Sequence, residues 1–451
     1  MAPNKPFGTD YSDPRTPGEK ARERLEVVKQ AASLTARATD NTHVQKAVTK
    51  LRARRAQNPD ALKIDLLPQA TGLDLPIASE QLLIRQRELT GGNLGKLLSR
   101  GITPGPATGS LIRLTVPDIA TPDVSAFART VTATDEVEVL INHVVPLGVW
   151  AKGEGGPEPS AGSRPFPAVE YPQQAPPPIV AVLDSGVSSQ VRTDGYLAMP
   201  VASEHRDPLD VFPAPAGDGL LDACAGHGGF AAGIVQQVAP TTPVLIYRVA
   251  DSDGVTTDFE VAAAMRLAVQ HGATILNLSL GTETPNNTPP PALADVIAEL
   301  AQTRPDVLIV CAAGNGGTSR KVWPAAFAET MDNVVAVAGL EPDGDPAPWS
   351  SHGPWVTCST IGEGVMSTYV EGTEDGVLIG DPHPDTFVPP NPWAVWSGTS
   401  FTAPQIAGAV ARICTAEGLT PAKALAELEA RATPAAAGSL YGWTVEILPG
   451  T

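Results

Sequence analysis

From residue 178 onward the chain alternates short apolar runs with longer amphipathic stretches. PIVAVLD, PVLIYRVA, ATILNLSL, DVLIVCAA and NVVAVAG are each nearly continuous in apolar residues. A strand with one wet face would alternate apolar and polar positions. A short run without that alternation predicts a strand buried on both faces, as in a parallel sheet. Between and after these runs, GGFAAGIVQQV, TDFEVAAAMRLAVQHG and PALADVIAELAQT carry helical spacing. The fold class expected is α/β, an open, doubly wound, mostly parallel sheet with helices on both faces. Ligands of such sheets bind outside the carboxyl ends of the strands.

The first 177 residues read differently. Residues 1–60 form a first segment, with a Pro-, Gly- and Asp-rich start over 1–16 expected to be disordered. Two helical stretches follow, EKARERLEVVKQAASLTARA and THVQKAVTKLRARRAQ, without a sustained heptad pattern, so a helical hairpin or loose arm is expected. Residues 61–150 predict a small α+β unit. ALKIDLL and SLIRLTV read as strands, PDVSAFARTV as a short helix and DEVEVLINHVVPLGVW as a long strand. SEQLLIRQRELTGGNLGKLLSRG reads as helical with a Gly-Gly break. Residues 151–177, dense in Pro and Gly, read as a linker or surface segment ahead of the larger unit, 178–451.

Charge sharpens this division. The chain of 451 residues has a formal charge of −18, yet residues 1–60 carry 12 Lys/Arg against 7 Asp/Glu. The overall sign argues against nucleic acid as a partner. The basic start suits either docking on the acidic body or a solvated helical face. The acidic stretch Asp251 to Glu260 is expected to be a solvated loop and helix start. It lacks the Glu that a calcium loop needs at its twelfth position, so no metal and no cofactor are expected. No run of about 18 apolar residues occurs, so no membrane span is expected. Cys224, Cys311, Cys358 and Cys414 lie far apart without metal-ligand spacing. Together with a start that lacks an export-signal pattern, they lead to the expectation of reduced thiols in a cytoplasmic protein.

Four polar residues fall where the sheet would place a site. Asp184 ends the strand IVAVLD before Ser185-Gly186, and His227 opens a small-residue helix in GHGGFAAGIV. Asn315 follows the strand LIVCAA, and Ser400 starts a helix in SGTSFTAPQIAGAV. A nucleophilic serine needs a base within hydrogen-bond reach, and that base needs a carboxylate to fix its tautomer. A helix start supplies unpaired N–H groups, and an Asn amide can supply a second donor to a developing oxyanion. Taken singly, each residue has a plainer reading as an Asx turn, a helix N-cap or a turn residue. A Cys224 nucleophile lacks supporting partners.

These segments, Asp-Ser-Gly after a strand, Gly-His-Gly, Ala-Ala-Gly-Asn and Gly-Thr-Ser-x-x-x-Pro, resemble the subtilisin family of serine peptidases, in the same chain order, over about 178–435. The resemblance implies a serine endopeptidase with Asp184, His227 and Ser400 as triad and Asn315 as oxyanion donor. It implies a substrate-binding edge at Ser279, Leu280 and Gly281, with Ala312, Ala313 and Gly314 completing the pocket for the residue before the scissile bond. VWPAAF (Val322 to Phe327) and WSSHG (Trp349 to Gly353) are similar to further family segments. Two positions depart from the family pattern: Gly229 stands where Thr is usual, and Thr402 where Ser or Ala is usual.

The resemblance also implies a role for the N-terminal half. Family members often carry an inhibitory prosegment, and VEVLINHVVPL (Val137 to Leu147) is similar to the end of one. Residues 61–147 are then a chaperone and inhibitor cut near Leu147, or else a permanent accessory domain. Some cytoplasmic relatives pair with a separate AAA-type ATPase, in some cases in anti-phage defence, which would make this chain a partner-activated latent protease. A binding module on an inactive scaffold is the remaining alternative.

Overall fold

The computed structural model describes residues 14–37, 40–69, 72–117, 123–147, 156–376 and 384–451. The expectation of disorder over 1–16 therefore falls almost wholly outside the described residues. The chain opens with helices α1 (Pro17–Arg37) and α2 (Asn41–Arg55). The strands β1 (Ile64–Leu67), β2 (Leu75–Arg85), β3 (Thr103–Thr108), β4 (Leu111–Thr115) and β5 (Leu140–Pro146) follow, with α3 (Gly91–Ser99) and α4 (Val124–Asp135) among them.

The larger unit contains β6 (Glu158–Pro159), β7 (Val180–Asp184), α5 (His227–Val238), β8 (Val244–Arg248), β9 (Val255–Thr257) and α6 (Asp258–Gln270). Next come β10 (Ile275–Leu278), α7 (Pro291–Thr303), β11 (Leu308–Ala312), β12 (Val334–Leu340) and β13 (Cys358–Ile361). Toward the carboxyl end lie β14 (Val365–Thr368), β15 (Trp393–Trp396), α8 (Ala403–Glu417), α9 (Pro421–Arg431) and β16 (Trp443–Thr444).

Seven strands form a sheet in the order β8-β7-β10-β11-β12-β13-β16, and every pair in it is parallel. The continuous apolar runs have a direct cause. Val180 and Val182 of β7 enter one buried cluster, with Phe230 and Ile234 of α5 and Ile406 and Val410 of α8. Ala181 and Leu183 enter the other, with Met265 of α6 and Ile297 of α7. Successive side chains point to opposite faces, so a strand covered on both sides has no position left for a polar residue.

The strand order reverses between β7 and β10, because β7 leads to β8 on one side while the later strands build out on the other. That switch point opens a crevice at the carboxyl ends of β7 and β10. Asp184 and Ser279 stand there, since β10 pairs with β7 in the register Leu278 to Leu183.

A second sheet, in the order β9-β5-β2-β4-β3 with β1 on β2, joins the two parts of the chain, because β5 pairs antiparallel with β9. Here the sequence reading needs correcting. SEQLLIR belongs to β2, and the α-helix begins only at Gly91, the first residue of the Gly-Gly pair. Leu82 and Ile84 face the small N-terminal core while Leu83 enters the core of the large unit. Burial on two faces removes the polar alternation that would have marked a strand, and no local signal replaces it.

The expected linker also does more than connect. Residues 148–155 lie outside the described residues, but β6 pairs with β15 in a three-stranded sheet, β14-β15-β6. Nor do α1 and α2 form a loose hairpin. α1 packs along β15 and β6 of the large unit, and α2 packs along β1 and reaches the acidic loops of the large unit.

Candidate active site

The turn after β7 and the start of α5 meet closely. A Cβ on Gly228 would lie 2.2 Å from the Gly186 carbonyl oxygen, so no larger residue fits immediately after His227. This approach brings Asp184 Oδ1 to 2.7 Å from His227 Nδ1. Both residues are buried, and the Ser185 N–H donates to the same carboxylate oxygen at 2.7 Å. The carboxylate therefore fixes the imidazole with Nδ1 as donor, leaving Nε2 as an acceptor. The ring is walled by Trp396 at 5.3 Å and Phe401 at 5.4 Å between centroids.

Ser400 lies in a short 3-10 turn, Thr399–Phe401, that leads into α8. Its hydroxyl donates to the Ser279 carbonyl at 3.3 Å, and the Ser279 hydroxyl donates to the Ser400 carbonyl at 2.7 Å. The nucleophile turn is thus tied to the end of β10. Asn315 is oriented by the same turn. Its Oδ1 accepts from the Thr399 N–H and the Thr399 hydroxyl, both at 2.9 Å. A backbone N–H can only donate, so the oxygen must face Thr399 and the amide Nδ2 is left for the crevice.

Beside Ser400 and Asn315 is a cavity of about 130 Å³, with Ser279, Leu280, Gly281, Ala312 and Gly314 in its lining. Gly314 turns there with φ +99°. Ala313 is a correction. It is fully buried in the core cluster on one face of the sheet, because it continues the β11 alternation with its side chain away from the crevice. Glu283, which the sequence pattern does not single out, and Val322, the first residue of the VWPAAF segment, also line the cavity. Burial raises the Glu283 pKa, opposed by Arg320, whose Nε lies 2.6 Å away.

The two departures from the family pattern are accommodated. A Cβ on Gly229 would make ordinary contacts of 3.5 Å with Leu197 and 3.8 Å with Val187. The Thr402 hydroxyl donates to the Thr399 carbonyl at 2.8 Å, which tightens the turn that carries Ser400.

The N-terminal half covers this site. The Gly281 N–H donates to the Pro146 carbonyl at 3.2 Å, and the Leu147 N–H donates to the Gly254 carbonyl at 2.9 Å. The end of β5 therefore lies as an added strand between β9 and the end of β10. Cys224 is buried with its Sγ 3.7 Å from the Leu147 carbonyl, and no disulfide joins any of the four cysteines.

The acidic stretch is not solvated. Arg55 of α2 pairs with Asp251 at 2.6 Å, and Arg54 pairs with Asp222 and Asp375, each at 2.6 Å. Asp253 lies beside both arginines. Asp258 is fully buried, accepting from the His143 N–H of β5 at 2.9 Å and the Ala292 N–H of α7 at 3.0 Å. Among the described residues no cluster of three or more His, Cys, Asp or Glu has a metal-holding arrangement, and no helix is long and apolar enough to cross a membrane.

Fold and site together define a doubly wound α/β protein with a carboxylate, an imidazole, a hydroxyl and an amide converging at the switch point. Residues 177–443 match the family model described as the subtilase family, and the chain belongs to that family. It is 28% identical over 239 residues to the thermophilic serine proteinase of Bacillus sp. (strain AK1), covering 52% of each chain. It is 28% identical over 214 residues to thermitase of Thermoactinomyces vulgaris, covering 45% of this chain and 66% of that one. A solved structure of a variant of the protease domain of PatA aligns with 62% of this chain and 94% of that one, at 24% identity and a TM-score of 0.46. The chain spans about half the length of the first curated relatives it matches, 52% and 46%.

Proposed function

We propose that this protein is a serine endopeptidase acting on protein or peptide substrates, held inactive by its own N-terminal half. The observation that carries the reading is the 2.7 Å bond between Asp184 and His227, which presets Nε2 as an acceptor on a ring packed 5.4 Å from Phe401, the residue after Ser400. Ser400 Oγ, rotated from the Ser279 carbonyl toward His227, attacks the peptide carbonyl. His227 takes the proton and later gives it to the leaving amine, while Asp184 stabilises the imidazolium. Asn315 Nδ2 and the Ser400 N–H hold the oxyanion, and water then releases the acyl group.

In the same reading, Pro146 and Leu147 occupy the groove as a substrate strand would, and residues 61–147 act as inhibitor and folding template. The chain is cut just beyond Leu147. Four buried cysteines with no disulfide among them support a reducing, intracellular setting.

The test is fluorophosphonate labelling with intact-mass analysis of the full chain and of Ser400→Ala. The wild type should label on Ser400 and yield a fragment ending close to Leu147, and Ser400→Ala should do neither. A folded wild type that never labels would overturn the enzymatic reading. One that labels and digests casein while every molecule stays full length would overturn self-cleavage.

A further inference from the structure

Helix α1 lies outside the residues matched by the family model, yet its buried face is knitted into the large unit. Glu23, Val27, Gln30 and Leu34 are its buried residues, at spacings of four, three and four that put them on one face. Val27 packs with Trp393 and Val395 of β15, and Leu34 with Trp349. Glu23 pairs with Arg15 at 2.5 Å and accepts from the Ala161 N–H at 2.9 Å.

Gln30 has the most specific position. Its side chain is fully buried. Nε2 donates to the Gly156 carbonyl at 2.8 Å and the Val395 carbonyl at 3.2 Å, and Oε1 accepts from the Ser397 hydroxyl at 2.8 Å. Ser397 in turn accepts from the Gly364 N–H at 3.1 Å. Trp396, which walls the His227 ring, lies between the two β15-end residues that Gln30 holds, and Ser400 follows three residues after Ser397.

We infer that Gln30 is a positioning residue for the Ser400 turn, so that α1 is part of the catalytic unit rather than of a removable inhibitory segment. The physical reason is the cost of an unmade bond. Without the amide, the buried Gly156 and Val395 carbonyls each lose a donor and the Ser397 hydroxyl loses the acceptor of its proton, and each group left unsatisfied costs about 1–3 kcal/mol unless the backbone moves to find water. The strand end that would move carries Trp396 on one side and leads to Ser400 on the other. Cleavage beyond Leu147 should therefore leave the N-terminal fragment bound through α1.

This inference rests on the serine-peptidase reading, and the experiment separates the two. In the full chain, Gln30→Leu, Ser397→Ala and the double variant are compared with Val27→Ala, which truncates the same helix face but leaves every hydrogen bond of the amide in place. Fluorophosphonate labelling rates, kcat and KM on a peptide substrate, and thermal midpoints are measured for each. Gln30→Leu should lower kcat and the labelling rate about 10- to 100-fold with KM nearly unchanged, as expected for a sub-ångström to 1 Å misplacement. Ser397→Ala should act in the same direction, and the double variant should lose less than the product of the two. Val27→Ala should lower the midpoint while leaving kcat near wild type. If Gln30→Leu behaves like Val27→Ala, with a lower midpoint and wild-type kcat, the positioning role is wrong. If the wild type itself never labels, the enzymatic reading has failed instead.

Discussion

Shortening Leu147 to alanine in the full chain tests whether the end of β5 blocks the groove. Leu147 is 3% exposed, its N–H is bonded to Gly254, and its neighbour Pro146 is bonded to Gly281. The substitution leaves both backbone bonds in place, so the change isolates side-chain burial. Truncating a buried Leu costs about 2–5 kcal/mol. Water can refill a groove that opens to solvent, so the low end applies, about 2–3 kcal/mol. At 1.4 kcal/mol per factor of ten, that raises the fraction of chains with an open groove about 30- to 150-fold. The assay is the initial rate of fluorophosphonate labelling of Ser400, counted by intact mass on uncut chains only. A rate that scales with the open fraction should rise by that factor while it remains well below saturation. Equal rates for Leu147→Ala and wild type, with wild-type labelling detectable, would refute the idea that this strand is the barrier.

The other expectations are simpler. Asn315→Ala should lower kcat about 10²–10³-fold with a small change in KM, measured on a peptide substrate. Asp184→Asn should lower kcat about 10⁴-fold, because Asn offers His227 Nδ1 the wrong tautomeric partner. Burial pushes Asp258 up from 3.8 to about 7, so its contribution to stability is full below pH 3.8 and is lost as pH rises through 7. Asp258→Asn should remove that part of the pH dependence, read as the difference in thermal midpoint between pH 4 and pH 8.

Much of this protein is legible without coordinates. The apolar runs around Val180, Ile275, Ile309 and Val334 announce strands covered on both faces, because such a strand has no wet position to betray. The four polar residues are legible because each follows a strand or starts a helix in a setting of small residues, and close backbone approach demands such residues locally. Gly228 against Gly186 is the plainest instance.

What those side chains meet is decided elsewhere. Nothing near Ser79 to Arg85 marks β2 as a strand, since its partners β4 and β5 are supplied by residues 111–115 and 140–143. The acidic residues 251–258 look solvated in isolation and become buried only because Arg54, Arg55 and β5 arrive from the N-terminal half. Gln30 reaches the Ser397 hydroxyl across 367 positions of chain. Local patterning therefore determined which residues sit at strand ends, while charge pairing and groove occupancy, which depend on contacts between distant segments, came from the tertiary structure alone.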